Sequence, residues 1–205
     1  MREGSKIVFS AAELSLLGNA SLLLTKNTAI GKICQLFGHL AAHYEQQWQP
    51  WRHGYPEVFG ARPKISKGER YEGLPWVMLD YPRYFNQQEG HFAVRTFFWW
   101  GHGYSMRLHL SGRFLNLLSR NFGWLQQAVD MGWQTGLTPN PWDNAVGATH
   151  WEPPTLEGLN RPGAYLILAK KMPLTQGLLV MQYCNEWLAE LRGLLSAGLV
   201  TQPVE

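Results

Sequence analysis

The residues best suited to chemistry are two arginines, two aromatic residues, an aspartate and a histidine within residues 70–112. A guanidinium offers a planar fork of donors to a carboxylate or phosphate, and an aromatic ring can stack on a ring or a sugar. A histidine can move a proton near neutral pH. The candidate ligand-binding residues are Arg95, Phe97, Trp99 and Arg107, and the candidate acid–base residues are Asp80 and His109.

Alternation of apolar and polar side chains predicts that these candidates share one face of a β-sheet. The predicted strands are 76–81, ended by Pro82, then 91–100 and 104–110, with a turn at 101–103. A two-residue turn would place Arg95 opposite Leu108 and mix the two faces, so we expect a turn of odd length. The resulting register pairs Arg95 with His109 and Phe97 with Arg107.

Two structural explanations compete with ligand binding on this polar face. Arginine, histidine and aspartate are common at solvent-facing strand positions, and pairs between Asp80 and an arginine can simply hold strands together. Phe97 and Trp99 can instead form a second small core under residues 132–163. All three alternatives stay open at the level of sequence.

The elements around the sheet predict an α+β fold. Ser10-Ala-Ala-Glu13 has the form of a capping box, and Asn19 can cap a second helix that runs to about Trp48. The order ααβββαβα favours a roughly four-stranded, mainly antiparallel sheet with amphipathic helices on one face. We expect one domain over residues 1–205, composed of a helical part 10–48, the sheet 70–112, a helix 113–131, a loop 132–163, and a strand with the C-terminal helix 164–197.

The loop 132–163 is rich in tryptophan and proline. A connection of that length inside a domain is usually a lid, a binding loop or a disordered segment, and its tryptophans argue against disorder. As a lid it could close over the polar face, which adds Trp142 to the ligand-binding candidates. As an interface it would make the protein a homodimer.

Composition limits the classes of function. The net charge is +3 with no basic run, so nucleic-acid binding is not expected. No run approaches the ~18 apolar residues of a membrane span, and two cysteines in helical patterns suit reduced thiols in the cytoplasm. No cofactor-binding motif is recognisable, and no cofactor is expected.

A pair of histidines, His39 and His43, has the i, i+4 spacing that lets two imidazoles share a metal ion. The glutamate of the H-E-x-x-H motif is missing, and no third ligand is identifiable. Two histidines at the edge of an apolar helical stripe are the simpler explanation, so these are weak candidates and no metal is expected.

Three functions follow from these observations. The leading hypothesis is a cytoplasmic binding or interaction protein that takes a small anionic or aromatic ligand on the polar face. The second is a hydrolase or transferase that uses Asp80 and His109 as acid–base groups. The third is a structural subunit with a Trp-rich oligomer interface.

Overall fold

A computed structural model describes residues 7–120, 122–136, 151–155 and 165–199 of the chain. The helices are α1 (Ala11–Leu17), α2 (Ala20–Gln47), α3 (Gln49–Arg52), α4 (Pro56–Phe59), α5 (Gly112–Leu118), α6 (Gly123–Asp130) and α7 (Val180–Leu199), with a 3₁₀-helix over Leu174–Leu179. The strands are β1 (Lys64–Tyr71), β2 (Leu74–Asn86), β3 (Gly90–Trp99), β4 (Gly103–Ser111), β5 (Gln134–Gly136), β6 (Trp151–Glu152) and β7 (Tyr165–Met172).

The strands form one sheet in the order β1-β2-β3-β4-β7-β5-β6, and every described pair is antiparallel. The predicted α+β class and antiparallel sheet are therefore confirmed. The predicted number of about four strands is too low, because β1 is a full strand of 8 residues and β5 and β6 extend the opposite end. β5 and β6 have only 3 and 2 residues, too few for alternation to reveal them inside the predicted loop.

The N-terminal helices begin where their capping residues predict. The Ser10 hydroxyl accepts from the Glu13 backbone N–H at 3.2 Å, and the Glu13 carboxylate accepts from the Ser10 N–H at 2.7 Å. The Asn19 carboxamide oxygen accepts from the Leu22 N–H at 3.0 Å and starts α2. Among the described residues, no helix combines the length and apolar character that crossing a membrane requires.

The helix predicted over residues 113–131 is divided into α5 and α6. The indole Nε1 of Trp124 donates to the Leu118 carbonyl oxygen at 3.1 Å and so satisfies a free carbonyl at the end of α5. The buried Trp124 ring thereby stabilises the break rather than a continuous helix.

The turn between β3 and β4 has the predicted odd length but begins one residue earlier than predicted. Trp99 pairs with Gly103, which leaves residues 100–102 as the loop. Arg95 therefore lies opposite Arg107, where His109 was predicted, and Phe97 lies opposite Ser105. Because the register differs from the prediction by two residues, each side chain stays on its predicted face.

Strand β2 does not end at Pro82, as predicted, but continues to Asn86. The register of β2 against β3 shifts between Asp80 and Arg83. This irregularity takes Pro82 out of the hydrogen-bonded ladder, where its missing N–H would leave a carbonyl unpaired.

The helices pack on one face of the sheet, which we call the first face. The Tyr44 hydroxyl of α2 lies 2.9 Å from the Thr96 hydroxyl of β3, so the polar residue at the centre of this face is hydrogen-bonded. The strand residues of this core include Val77, Leu79, Phe92, Val94, Phe98, Met106, Leu108, Leu166 and Leu168, and the helical residues include Phe37, Leu40, Phe114, Trp124, Leu188 and Leu191. The predicted placement of the helices is confirmed.

Two glycines of the β3–β4 turn allow a test of this register. A Cβ on Gly103 would lie 2.3 Å from the Met172 carbonyl oxygen, whereas a Cβ on Gly101 would meet no atom within 4 Å, and both residues have positive φ. We expect Gly103→Ala to lower the free energy of unfolding by at least about 3 kcal/mol and Gly101→Ala by only about 1–2 kcal/mol. Denaturant unfolding of both variants measures this, and equal losses would contradict the register.

Candidate functional site

The other face of the sheet, the second face, carries all the residues selected from strands β2, β3 and β4. Opposed strand residues define it in rows: Asp80, Arg95 and Arg107 in one row, and Met78, Phe97 and Ser105 in the next. His109 lies two residues beyond Arg107, and Trp99 two beyond Phe97. The alternation in the sequence therefore grouped these residues as the structure does.

The second face is buried, although the residues of its small hydrophobic cluster all come from strands. Arg107 is 0% exposed and His109 is 1% exposed, and Asp80 and Arg95 are also buried. These side chains are not solvent-facing. Trp142 and most of the predicted loop, residues 137–150 and 156–164, lie outside the described residues.

A two-point ion pair lies at the centre of the second face. Arg95 Nε donates to Asp80 Oδ1 at 2.7 Å, and Arg95 Nη2 donates to Asp80 Oδ2 at 3.1 Å. This fork-to-carboxylate geometry is the strongest form of such a pair and satisfies both carboxylate oxygens. The Asp80 carboxylate is thus engaged by Arg95 and is poorly placed to accept a substrate proton.

His109 lies in a buried, positively charged environment. Burial lowers the pKa of His109 well below its usual value, and the positive charges of Arg95 and Arg107 lower that pKa further. Its Nδ1 lies 3.3 Å from the Tyr165 hydroxyl, whose own pKa is raised by burial. The imidazole is therefore neutral at pH 7.

Asp80 and His109 are not adjacent on this face. Asp80 is on β2 and His109 on β4, so two strand spacings of roughly 4.8 Å each separate them, with Arg95 on the strand between. The acid–base alternative would require an intermediate group between the two side chains. The geometry favours binding over this reaction scheme.

One end of the second face is aromatic. Trp76 stacks on Phe97 with ring centroids 6.1 Å apart, and Tyr71 contacts Phe97 edge-on at 5.6 Å. Trp99 Nε1 donates to the Tyr71 carbonyl oxygen at 3.2 Å. The exposed His102 at the turn lies flat on Trp99, with ring centroids 3.6 Å apart. The predicted aromatic residues thus have fixed orientations.

A small pocket, with an enclosed space of about 20 Å³, opens beside this aromatic cluster. Among the described residues, the buried hydroxyl of Ser105 has no hydrogen-bond partner. Lys171 on β7 lies directly opposite Ser105 and is exposed. The lining residues are Phe97, Trp99, His102, Gly103, Tyr104, Ser105 and Lys171. A ring-stacking surface, a free hydroxyl and an ammonium group thus meet at one place.

Several residues of this site were not selected from the sequence. Ser105 alternates with Arg107 and His109, so its place on this face was foreseeable, but a lone serine carries no chemical signature. Lys171 was not selected because it lies on β7, outside the hairpin from which the candidates were taken. Trp76 is two residues from Met78, and the same period-two rule would have placed it here.

The histidine pair lies far from this face, on α2. His39 is exposed and His43 half-buried, one helical turn apart. Within the described part of the chain, no group of three metal-ligating side chains is assembled. Nothing in the geometry strengthens these two weak metal candidates.

The chain was also compared with known proteins. No protein-family model, curated protein or solved structure matches it. The function must therefore be inferred from the geometry of the site.

The charge state of His109 gives a pH-dependent stability. Its pKa is lower in the folded chain than the value of about 6.5 expected when unfolded, so the unfolded chain binds more protons as the pH falls below about 6.5. We expect the free energy of unfolding to decrease between pH 6 and pH 5, with a contribution from His109 approaching 1.4 kcal/mol per pH unit.

Denaturant titrations at several pH values measure this slope. His109→Gln should flatten it, whereas the exposed His53→Gln should leave it unchanged. His91, whose pKa is also lowered by burial, contributes in the same direction, so the slope in the His109→Gln variant should be reduced rather than abolished. An unaltered slope in that variant would show that the pKa of His109 is the same in the folded and unfolded chains.

Proposed function

We propose that this protein binds a small ligand that combines one aromatic ring with an anionic group, in the pocket at the aromatic end of the second face. The observation that carries the proposal is the buried Ser105 hydroxyl, which among the described residues has no partner and lines a pocket walled by Phe97 and Trp99. A buried hydroxyl without a hydrogen bond is costly, and a ligand oxygen would satisfy it.

The aromatic side chains of the pocket favour a ligand that contains an aromatic ring. Phe97 and Trp99 are held by Tyr71 and Trp76, so they offer a preorganised surface that loses little entropy on binding. The exposed His102 ring already stacks on Trp99, and a ligand ring could replace it there at small cost. The enclosed space of the pocket is only about 20 Å³, enough for one water molecule, so a ligand ring would lie on Trp99 in place of His102 and direct its anionic group toward Ser105.

The polar groups of Lys171 and Ser105 favour a ligand that carries a negative charge. The Lys171 ammonium attracts negative charge at the pocket mouth, and the Ser105 hydroxyl can donate to a carboxylate or phosphate oxygen. The carboxylate of Asp80, on the same face, is already bound to Arg95.

The test is tryptophan fluorescence, since Trp99 lines the pocket. Benzoate and phenyl phosphate should quench the emission on titration, and benzyl alcohol, which lacks the charge, should bind at least about tenfold more weakly. Lys171→Met should weaken binding of both anions by roughly fivefold, because one exposed charge contributes on the order of 1 kcal/mol. Ser105→Ala should weaken all three ligands.

Lys170→Met is the matched control. Lys170 is the neighbouring residue on β7 but bonds to Glu190 and lies over the Trp133 ring, away from the pocket. Its variant should bind the anions as the unmodified chain does. Equal weakening by both lysine variants, or no saturable quenching by either anion, would contradict the proposal.

The acid–base alternative stays a prediction that no observation favours. Its aspartate is engaged by Arg95, and its histidine is neutral and two strands away. The oligomer-interface alternative rests on Trp142, which lies outside the described residues.

A further inference from the structure

The N-terminal part of the chain, residues 7–29, extends as a helical arm with almost no burial. It consists of α1 and the first turns of α2, and none of the residues of α1 is buried. The first buried residue of α2 is Ile30. Only from that residue onward does α2 pack into the core of the first face.

The arm exposes a large apolar surface. Nine of the fifteen exposed large hydrophobic residues in the described chain belong to it, each between 52% and 86% exposed. They are Ile7, Val8, Phe9, Leu14, Leu16, Leu17, Leu22, Leu23 and Leu24. Together they offer on the order of 800 Å² of apolar surface, more than the roughly 300–600 Å² of the largest patch on a typical monomer. A standard interface buries about 800 Å² on each partner.

The apolar residues of the arm do not form a single stripe. Leu22, Leu23 and Leu24 are consecutive, so they point in three directions that differ by about 100° each around the helix. A helix at the surface of a monomer has one apolar stripe, whereas a helix apolar on all sides is normally enclosed. The partner must therefore contact the arm on more than one side, which a second arm with its two helical segments can do.

Charge on the arm discriminates between partners. Glu13 and Lys26 are its only charged residues. Glu13 is hydrogen-bonded to Ser10 in the capping box, and Lys26 is paired with Glu69 of β1. Helices that lie on membrane surfaces carry lysine and arginine along their polar face, which this arm lacks. A nearly uncharged surface meets its own copy without like-charge repulsion.

The arm also has a groove that fits its own side chains. Ser21, Thr25 and Ala29 are spaced one turn apart on α2 and line an open depression of about 490 Å³, with Leu24 at its side. Small side chains in a row accept the ridge of another helix, and the exposed leucines of α1 are such a ridge. Ridge and groove on the same segment make the surface complementary to itself.

From the area, the absence of free charge and the groove, we infer that the arm is the interface with a second copy of this chain. Two arms pack against each other about a two-fold axis, so that the leucines of each enter the groove of the other. The pocket with Trp99 and Ser105 is not part of this interface, and the inference is independent of the proposed ligand.

Analytical ultracentrifugation of the full chain tests this inference between about 1 and about 100 µM. We expect a species of twice the 23.4 kDa chain mass. The double variant Leu17→Glu/Leu24→Glu should raise the dissociation constant at least about 100-fold, because it places like charges within an apolar contact. Both leucines are exposed in a single copy, so the variant should keep the circular dichroism and melting behaviour of a folded chain. Leu24→Glu alone serves as a milder second variant.

Leu178→Glu is the matched control. Leu178 is 101% exposed but lies on the 3₁₀-helix, outside the arm, so this variant should dimerise as the unmodified chain does. A chain that is monomeric at about 100 µM overturns the inference. So does a dimer that the double variant leaves intact, because the interface then lies elsewhere. Sedimentation of a monomeric chain with phosphatidylcholine vesicles would assign the arm to a lipid surface instead.

Discussion

Strand β3 is buried on both faces, and this constraint shapes the rest of the site. A charged residue on such a strand cannot reach water, so Arg95 requires a partner within the protein. Asp80 on β2 provides it with two hydrogen bonds. A buried ion pair adds little net stability compared with two apolar residues, but the loss of one partner typically costs about 3–5 kcal/mol. The pair therefore acts mainly on register, since only the pairing that sets Asp80 opposite Arg95 avoids an unpaired buried charge.

The same buried charges divide the second face into two regions. In the middle, Arg95 and Arg107 lie opposite each other, and burial, together with their positive charge, lowers the pKa of the neighbouring His109. Toward the β3–β4 turn, the face becomes aromatic. The pocket lies where these regions meet, so a ligand there experiences both a ring surface and a positive potential. Such a gradient orients a ligand with one apolar and one anionic end.

Features set by local chemistry could be predicted from the sequence. The caps at Ser10 and Asn19 depend on residues three positions apart, and the two faces of the hairpin depend on strict alternation. The register itself was missed by two residues, because the start of a three-residue turn depends on the contact of Gly103 with β7, which is distant in sequence. Strand β1 lies outside the predicted strands of the sheet for a similar reason, as its charged sequence acquires order from pairing with β2.

Burial could not be predicted at the site or in the arm, for opposite reasons. Arginine, aspartate and histidine are usually exposed, yet on the second face they are inside; leucine is usually inside, yet in the arm it is exposed. Each residue type has an average tendency to be buried or exposed. Whether a particular residue is buried depends on which parts of the chain pack against it. The exposure of the leucines is informative because it has an energetic cost that a binding partner would remove.

The two edge strands of the described sheet are poorly suited to pairing with a second copy of the chain, which supports the inference that two copies meet through the arm. An open edge strand is the usual place for unwanted pairing, but β1 is interrupted by a register shift between Gly68 and Tyr71 and carries several charged residues. At the other end of the described sheet, β6 has only 2 residues, too short to template a partner strand. Both edges are thus protected, while the two charged residues of the arm, Glu13 and Lys26, are already bound to Ser10 and Glu69 of the same chain. Of the surfaces that the structure describes, we therefore infer that the arm is the one through which two copies associate.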